Sequence, residues 1–441
     1  MTALPSIDLR GTLLKLFPDA LLRQWSKSTG AVKRLRKVDP VDFFWTLVLG
    51  FGVERDRTLA ALRRRFILAT GQDLEESAFQ GRFTREWVKV LKRAAAQALE
   101  VSFGPARALR GHLQVFKDVL MSDATVIRLH QLLESAYPGC RTNSARAAAK
   151  VHLIMNVTGA SKQAIRITAE RRHENHVLRV GKWIESRLML FDLGYYDFKL
   201  FARIDQHGGY FLSRLKSNAN PTLTDIHRVD EALGGDALGM TLAEVVERLK
   251  GDTLDAQVSL SFRKRVYNGK KSKNTLSVRL VGRRNSATGE FHLYLTNVPP
   301  HMLAPEDVQA TYSLRWGVEL LFKELKTHYR LEQMPSSRQE VVEALLYTAI
   351  ISLAVGRRLL QRLRQAMPEH AERFKSQRFA ALMATVADLL LIIVRNPGSV
   401  SRFLQQRVCH ILCIDGPDPN KFRLALLAAA ENKALPCSVA A

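Results

Sequence analysis

Acidic residues are in short supply in this chain. Its 441 residues carry 66 lysines and arginines against 42 aspartates and glutamates, a formal net charge of +24. That excess goes well beyond what solubility requires and argues against a small metabolite as the main partner. A polyanion fits it, either nucleic acid or a membrane surface. Long apolar runs are scarce too. The longest, residues 344–356 and 379–394, are shorter than a membrane span needs, and the second contains Asp388. Both read as core helices, which leaves nucleic acid as the favoured partner. Cysteine is limited to Cys140, Cys409, Cys413 and Cys437. The pair in Cys409-His-Ile-Leu-Cys413 has no second pair at zinc-site spacing and sits among Val408, Ile411, Leu412 and Ile414. It reads as buried free thiols in a reducing compartment. The first residues lack the basic-then-apolar pattern of an export signal, so the expected location is the cytoplasm. No internal repeat or low-complexity tract interrupts the chain.

Within that frame, residues 1–110 read as a helical region. Phe43–Phe51 is a buried helical stretch, Thr58–Phe66 carries Arg63, Arg64 and Arg65, and Glu86–Leu99 carries Lys89, Lys92 and Arg93. With the cluster Lys33-Arg-Leu-Arg-Lys37, these basic faces are expected to contact DNA, because a helix fits the major groove.

From about Gln114 the pattern becomes α/β. Candidate strands are Phe116–Ser122, Val151–Val157, Ala164–Thr168, Met189–Asp192 and Tyr210–Leu215, with helices expected at Glu174–Glu185 and Asp197–Ile204. Asp197 reads as the N-cap of the second helix. A break at Asn218-Ala-Asn-Pro221 leads to an acidic, helical-looking piece around Asp225, Asp230, Glu231, Asp236, Glu244 and Glu247. Alternating runs then flank Asn268-Gly269, a hairpin signal. This β-rich stretch is basic, with Arg263, Lys264, Arg265, Lys270, Lys271, Lys273, Arg279, Arg283 and Arg284. Beyond Lys326 the chain returns to helix at Gln339–Gln365, Phe379–Arg395 and Lys421–Glu431.

Three carboxylates stand out. Asp123 follows Val119-Leu-Met-Ser, and Asp192 follows Leu188-Met-Leu-Phe, so each is expected at a strand end on the rim of a sheet. The third is Glu319, in Tyr312-Ser-Leu-Arg-Trp-Gly-Val-Glu-Leu-Leu-Phe-Lys-Glu-Leu-Lys326. Read as one helix, Tyr312, Arg315, Glu319, Lys323 and Lys326 share an arc of about 80°, beside an apolar arc of Leu314, Val318, Leu321, Phe322 and Leu325. Two strand-end aspartates and a helix-borne glutamate offer hard oxygen donors for divalent cations. Surrounding cations suit a phosphate backbone.

These residues resemble those of DDE-type insertion-sequence transposases of the "IS four" family, whose third carboxylate lies in a Tyr-x2-Arg-x3-Glu-x6-Lys signature. Tyr312, Arg315, Glu319 and Lys326 match it without gap, and Asp123 and Asp192 match the first two carboxylates. Phe211–Lys216 and Tyr294–Pro299 also resemble segments of the family, and the resemblance covers about residues 110–350. It implies an α/β fold: an RNase H-like mixed sheet with flanking helices, a β-rich insertion, and helical N- and C-terminal regions. The expected segments are 1–110, a catalytic domain from 111–220 and 305–350, the insertion at 221–304, and 351–441. It further implies cut-and-paste cleavage and joining of DNA ends, Asp123, Asp192 and Glu319 holding two Mg2+ (or Mn2+) ions, and a homodimer on duplex DNA. Tyr312, Arg315, Lys323, Lys326, Arg214 and Lys216 would contact the strands, as would the insertion cations Arg263, Lys264, Arg265, Lys270, Lys271 and Lys273. Family members can stack an extruded base on an insertion tryptophan. Residues 221–304 contain none, so Tyr267, Phe291 or Tyr294 would have to substitute. The alternatives are a catalytically idle or co-opted DNA-binding protein of the same fold, or a non-specific nuclease.

Overall fold

The computed structural model describes residues 7–34, 38–51, 57–102, 109, 111–140, 145–156, 164–174, 177–229, 234–263, 273–332 and 334–418. The chain forms two compact units, one of residues 1–104 and 324–441 and the other of residues 105–323.

The first unit is helical. Its N-terminal part comprises α1 (Leu9–Leu16), α2 (Asp19–Ser28), α3 (Pro40–Phe51), α4 (Leu59–Thr70), α5 (Glu76–Gln80) and α6 (Arg85–Ser102). Local chemistry sets the limits of α4. The Thr58 side chain accepts from the Ala61 N–H, and Gly71, at φ +67°, ends the helix in the left-handed region that favours glycine. Helix α3 is almost wholly buried, with Phe43 packed against Phe79, Phe83 and Trp87.

The second unit is built on one nine-stranded sheet in the order β3-β2-β1-β4-β5-β9-β8-β7-β6. The strands are β1 (Asp118–Leu129), β2 (Ala147–Asn156), β3 (Ala164–Ala169), β4 (Arg187–Phe191), β5 (Tyr210–Arg214), β6 (Leu223–Arg228), β7 (Thr253–Arg263), β8 (Lys273–Arg284) and β9 (Phe291–Thr296). Strands β1 and β2, and β2 and β3, pair antiparallel; β4 runs parallel to β1 and β5 parallel to β4. This is the mixed 3-2-1-4-5 arrangement of an RNase H-like sheet. The β-rich stretch after residue 221 continues the same sheet, because β9 pairs with β5.

Helix α7 (Phe198–Gln206) begins at Asp197, whose side chain accepts the Lys199 N–H, the capping role read from sequence. It packs into an apolar cluster with Phe191, Phe201 and Phe211, the last two rings stacked at 4.3 Å. Two helical expectations fail here. Among the described residues of 174–185 none is α-helical: Glu174 is in 3-10 conformation, 177–181 are irregular, and Lys182–Ile184 form a 3-10 turn. There Val177, Leu178 and Ile184 are buried and Gly181 is extended, so the segment buries its apolar residues without a helical period. In the acidic piece, Asp225 lies in β6; among the described residues Gly234–Ala237 forms a 3-10 turn and Leu242–Arg248 an α-helix, α8, with a Thr241/Glu244 capping box. Asp230 and Glu231 lie outside the described residues.

Helices α9 (Pro305–Ser313) and α10 (Trp316–Thr327) follow, the latter running on into the first unit. That unit is completed by α11 (Gln339–Ala366), α12 (Ser376–Arg395) and α13 (Ser399–Asp415). Helices α11 and α12 are longer than the apolar runs inside them and meet the length and hydropathy of a membrane span. They are nonetheless packing elements: α11 lies against α3 and α6, and α12 against α3, α4 and α13. Cys409 and Cys413 are buried and free, and the Cys409 Sγ donates to the Ile7 carbonyl at 3.2 Å. Cys437 and the expected helix at Lys421–Glu431 lie outside the described residues.

Candidate active site

The site begins where β1 and β4 part. Their parallel pairing ends at Ser122 opposite Phe191, so Asp123 and Asp192 are the next residues on two adjacent strands. Asp192 ends its strand and precedes a 3-10 turn at Leu193–Tyr195. Asp123 does not. β1 continues to Leu129 in register with β2, because Thr125, Val126 and Ile127 extend it with β-branched residues. What is exposed at Asp123 is the end of the β4 pairing rather than the end of its own strand.

The segment bearing Glu319 also departs from the sequence reading. Tyr312–Lys326 is not one helix; α9 ends at Ser313 and α10 starts at Trp316. Across Leu314 and Arg315 the backbone tightens to i to i−3 bonds, with the Arg315 N–H on the Tyr312 carbonyl at 3.0 Å and the Val318 N–H on Arg315 at 3.2 Å. Gly317 sits against β1: a Cβ there would stand in ordinary contact with the Met121 thioether at 3.5 Å. The helix therefore lies directly over the strand that carries Asp123. Val318, Leu321, Phe322 and Leu325 are buried as the apolar arc predicted, and Leu314 is half-buried.

Arg315 is 7% exposed, and its guanidinium pairs with Glu319 one turn on. It also lies 5.4 Å from the Tyr312 ring centroid, and that ring packs on Tyr294 at 5.3 Å. Asp123 is pushed up from 3.8 to about 6. Burial is the largest cause; the negative charges of Asp192 and Glu319 add to it, while the Ala124 N–H and Arg315 oppose it. Arg315 in turn is raised against the effect of burial by Tyr312, Glu319 and Asp192. Asp123 thus feels both other carboxylates, and the Arg315 guanidinium feels Asp192 and Glu319. Among the described residues, no three His, Cys, Asp or Glu side chains are gathered closely enough to hold an ion; Glu319 is engaged by Arg315.

The other expected contacts divide. Arg214 is exposed at the end of β5, and its charge reaches Tyr294 and Tyr312. Lys216 lies beyond that strand, with Nζ 5.0 Å from the Tyr196 ring centroid, so it does not alternate with Arg214 along β5. Lys323 is exposed on α10, and Lys326, in the helical unit, pairs with Glu332 at 3.0 Å. Arg263 and Lys273 are register partners at the end of the β7–β8 pairing. Lys264, Arg265, Tyr267, Asn268, Gly269, Lys270 and Lys271 lie outside the described residues. Three further cations of the basic stretch are occupied structurally. Arg279 is 2% exposed and forms a bidentate pair with Asp255, both contacts at 2.7 Å, while donating to the Val298 and Leu303 carbonyls. Arg283 bonds Thr253, and Arg284 bonds the Leu249 carbonyl and covers the Phe291 ring. In the sequence all three are simply part of the basic character of the stretch. Sequence reading passed over Trp316 and Leu320, 59% and 58% exposed beside Glu319. A tryptophan on the polar arc of an amphipathic helix was the available signal.

Comparison with known proteins supplies the family. A transposase DDE domain family model matches residues 115–355, more than half of the chain. The chain is 22% identical to the transposase for insertion sequence element IS231F of Bacillus thuringiensis subsp. israelensis, over 91% of this chain and 90% of that one. It is 23% identical to the transposase for insertion sequence element IS1151 of Clostridium perfringens, over 79% of this chain and 80% of that one. A solved piggyBac transposase synaptic complex with hairpin DNA aligns over 95% of this chain and 88% of that one at 11% identity. Its TM-score is 0.43, so the fold assignment rests on the strand order. The chain belongs to the transposase DDE domain family and is a transposase.

Proposed function

We propose that this transposase cleaves phosphodiester bonds at the ends of an insertion sequence and joins them to target DNA, with Asp123, Asp192 and Glu319 as its catalytic carboxylates. One observation carries the reading: Asp123 and Asp192 are the next residues on two adjacent parallel strands, and the helix bearing Glu319 packs over the first of them. Tyr312, Arg315, Glu319 and Lys326 are read as the signature of the "IS four" family.

The donor set fits a divalent metal. Carboxylate oxygens are hard ligands, and a half-buried Asp123 with like-charged neighbours is short of positive charge. Asp123, Asp192 and Glu319 would hold Mg2+, two ions in the family pattern, which would activate a nucleophile and stabilise the leaving oxygen. Arg315 holds Glu319 in place of a cation in this state and is placed to neutralise a phosphate when that pair opens. Tyr312, fixed by Tyr294, and the exposed Trp316 offer faces for bases, and Arg214 and Lys323 offer charge for the backbone. Lys216, Lys326 and the cations at the β7–β8 end would extend the DNA-binding surface, as would the basic helices of residues 1–110. The reaction is read as cytoplasmic and carried out by a homodimer on paired ends.

The test is Glu319→Gln. Gel-shift binding to DNA carrying the element's ends should stay close to wild type while Mg2+-dependent nicking disappears. Nicking that survives the substitution removes Glu319 from the mechanism.

A further inference from the structure

The segment between β3 and β4 that fails to form a helix leaves a cavity of about 300 Å³ against the sheet. Ser122 pairs with Ile154 and Ala124 with His152, so these side chains alternate with Asp123 along the strand. The cavity therefore lies on the sheet face opposite the Asp123 carboxylate. Its floor is apolar, with Ile154, Val177 and Leu178. Trp183 forms one side, its indole N–H fixed on the Arg179 carbonyl at 2.8 Å. Arg166 and Arg179 also line it, and none of its described lining residues is acidic.

One polar group in this cavity is unanswered. His152 is 5% exposed, and its Nε2 lies 2.8 Å from Thr168 Oγ1. Taking the Thr168 hydroxyl as donor to the Ala169 carbonyl at 3.2 Å assigns the ring proton to Nε2 and makes Nδ1 the acceptor. Nδ1 is buried and has no hydrogen-bond partner among the described residues. Burial, with Lys150, Arg172 and Arg166 nearby, lowers the imidazole to about 4, so it stays neutral at physiological pH. A lone acceptor in an apolar pocket suits an N–H donor on a flat ring better than it suits water, which needs two or more partners. The space exceeds the roughly 150 Å³ that holds one benzene-sized ring.

We propose that this cavity binds a purine nucleotide, with the base between the apolar floor and Trp183, a base N–H on His152 Nδ1, and the phosphate beside Arg179 and Arg166. Such a unit occurs as a free nucleotide or at an unpaired strand end, and both present the same groups. The site does not use the carboxylates on the other face, so its failure would leave the reading of Asp123, Asp192 and Glu319 intact.

Calorimetric titration of the full chain with AMP and with adenosine tests it. Wild type should bind AMP with Kd of about 1 mM or tighter. His152→Phe keeps a ring but removes the acceptor, and should weaken both ligands about tenfold. Arg179→Ala, at an exposed side chain, should weaken AMP about fivefold and leave adenosine unchanged. Ala164→Trp, which fills the cavity, should abolish both. Should that variant fail to fold, the Arg179→Ala contrast alone decides. No heat with AMP in wild type up to about 5 mM overturns the proposal, as does Arg179→Ala binding AMP as wild type does. In a bound sample, displacement of AMP by a single strand with an unpaired terminal purine assigns the site to DNA, and lack of displacement assigns it to the free nucleotide.

Discussion

Replacing Asp123 with asparagine should stabilise the metal-free protein while removing its activity. A carboxyl held at about 6 instead of 3.8 resists ionisation by roughly 3 kcal/mol at neutral pH. The cause is burial first, then Asp192 and Glu319. Asparagine keeps the oxygen that accepts the Ala124 N–H at 2.8 Å and discards the charge. The penalty is already net of the opposing Arg315 charge; the buried amide carries a smaller desolvation cost of its own, so the expected gain is about 1–3 kcal/mol. Its pH dependence has a definite sign. Because the folded state holds this proton more tightly than the unfolded chain, the group's contribution to stability is fully present below 3.8 and is lost as pH rises through about 6. The advantage of Asp123→Asn in urea denaturation with chelator present should therefore be largest above pH 6 and vanish near pH 4. Cleavage by wild type should fall in acid, since a protonated Asp123 cannot hold a cation, and because a bound cation favours the carboxylate the fall should come at lower pH as Mg2+ is raised. A variant that is less stable than wild type at neutral pH, or whose advantage does not change with pH, would refute the argument.

Arg279→Ala should cost about 3–5 kcal/mol, because it strands the Asp255 carboxylate in a buried site and leaves two carbonyls without their donor. Its mark is a lower denaturation midpoint; an unchanged midpoint with weaker DNA binding would return Arg279 to the solvated surface. Gly356→Ala should destabilise the helical unit by about 1–3 kcal/mol, since a Cβ there would stand 2.4 Å from the hydroxyl of the buried Tyr329. Thermal unfolding of that variant and of Gly356→Ala/Tyr329→Phe checks it, the double variant recovering part of the loss.

What the sequence determined by itself was local. The apolar runs before Asp123 and Asp192 marked buried strands, Asp197 marked a helix start, and the four-residue spacing of Arg315 and Glu319 set their ion pair. Each depends on neighbours within one or two turns of chain, and such relations follow from backbone period. The charge excess likewise needed no fold to point at a polyanion. Tertiary structure decided the rest. The Met121 side chain lies close over Gly317 where the Tyr312–Lys326 helix breaks, β2 carries β1 past Asp123, and burial of Asp255 turned Arg279 from a surface cation into a strut. The segment at 174–185 lost its helix to the packing of Val177 and Leu178 and left a cavity at His152. Residues remote in sequence meet only once strand register and helix docking are fixed, and those relations have no period along the chain. The coupling of Asp123, Asp192 and Glu319 is of that second kind.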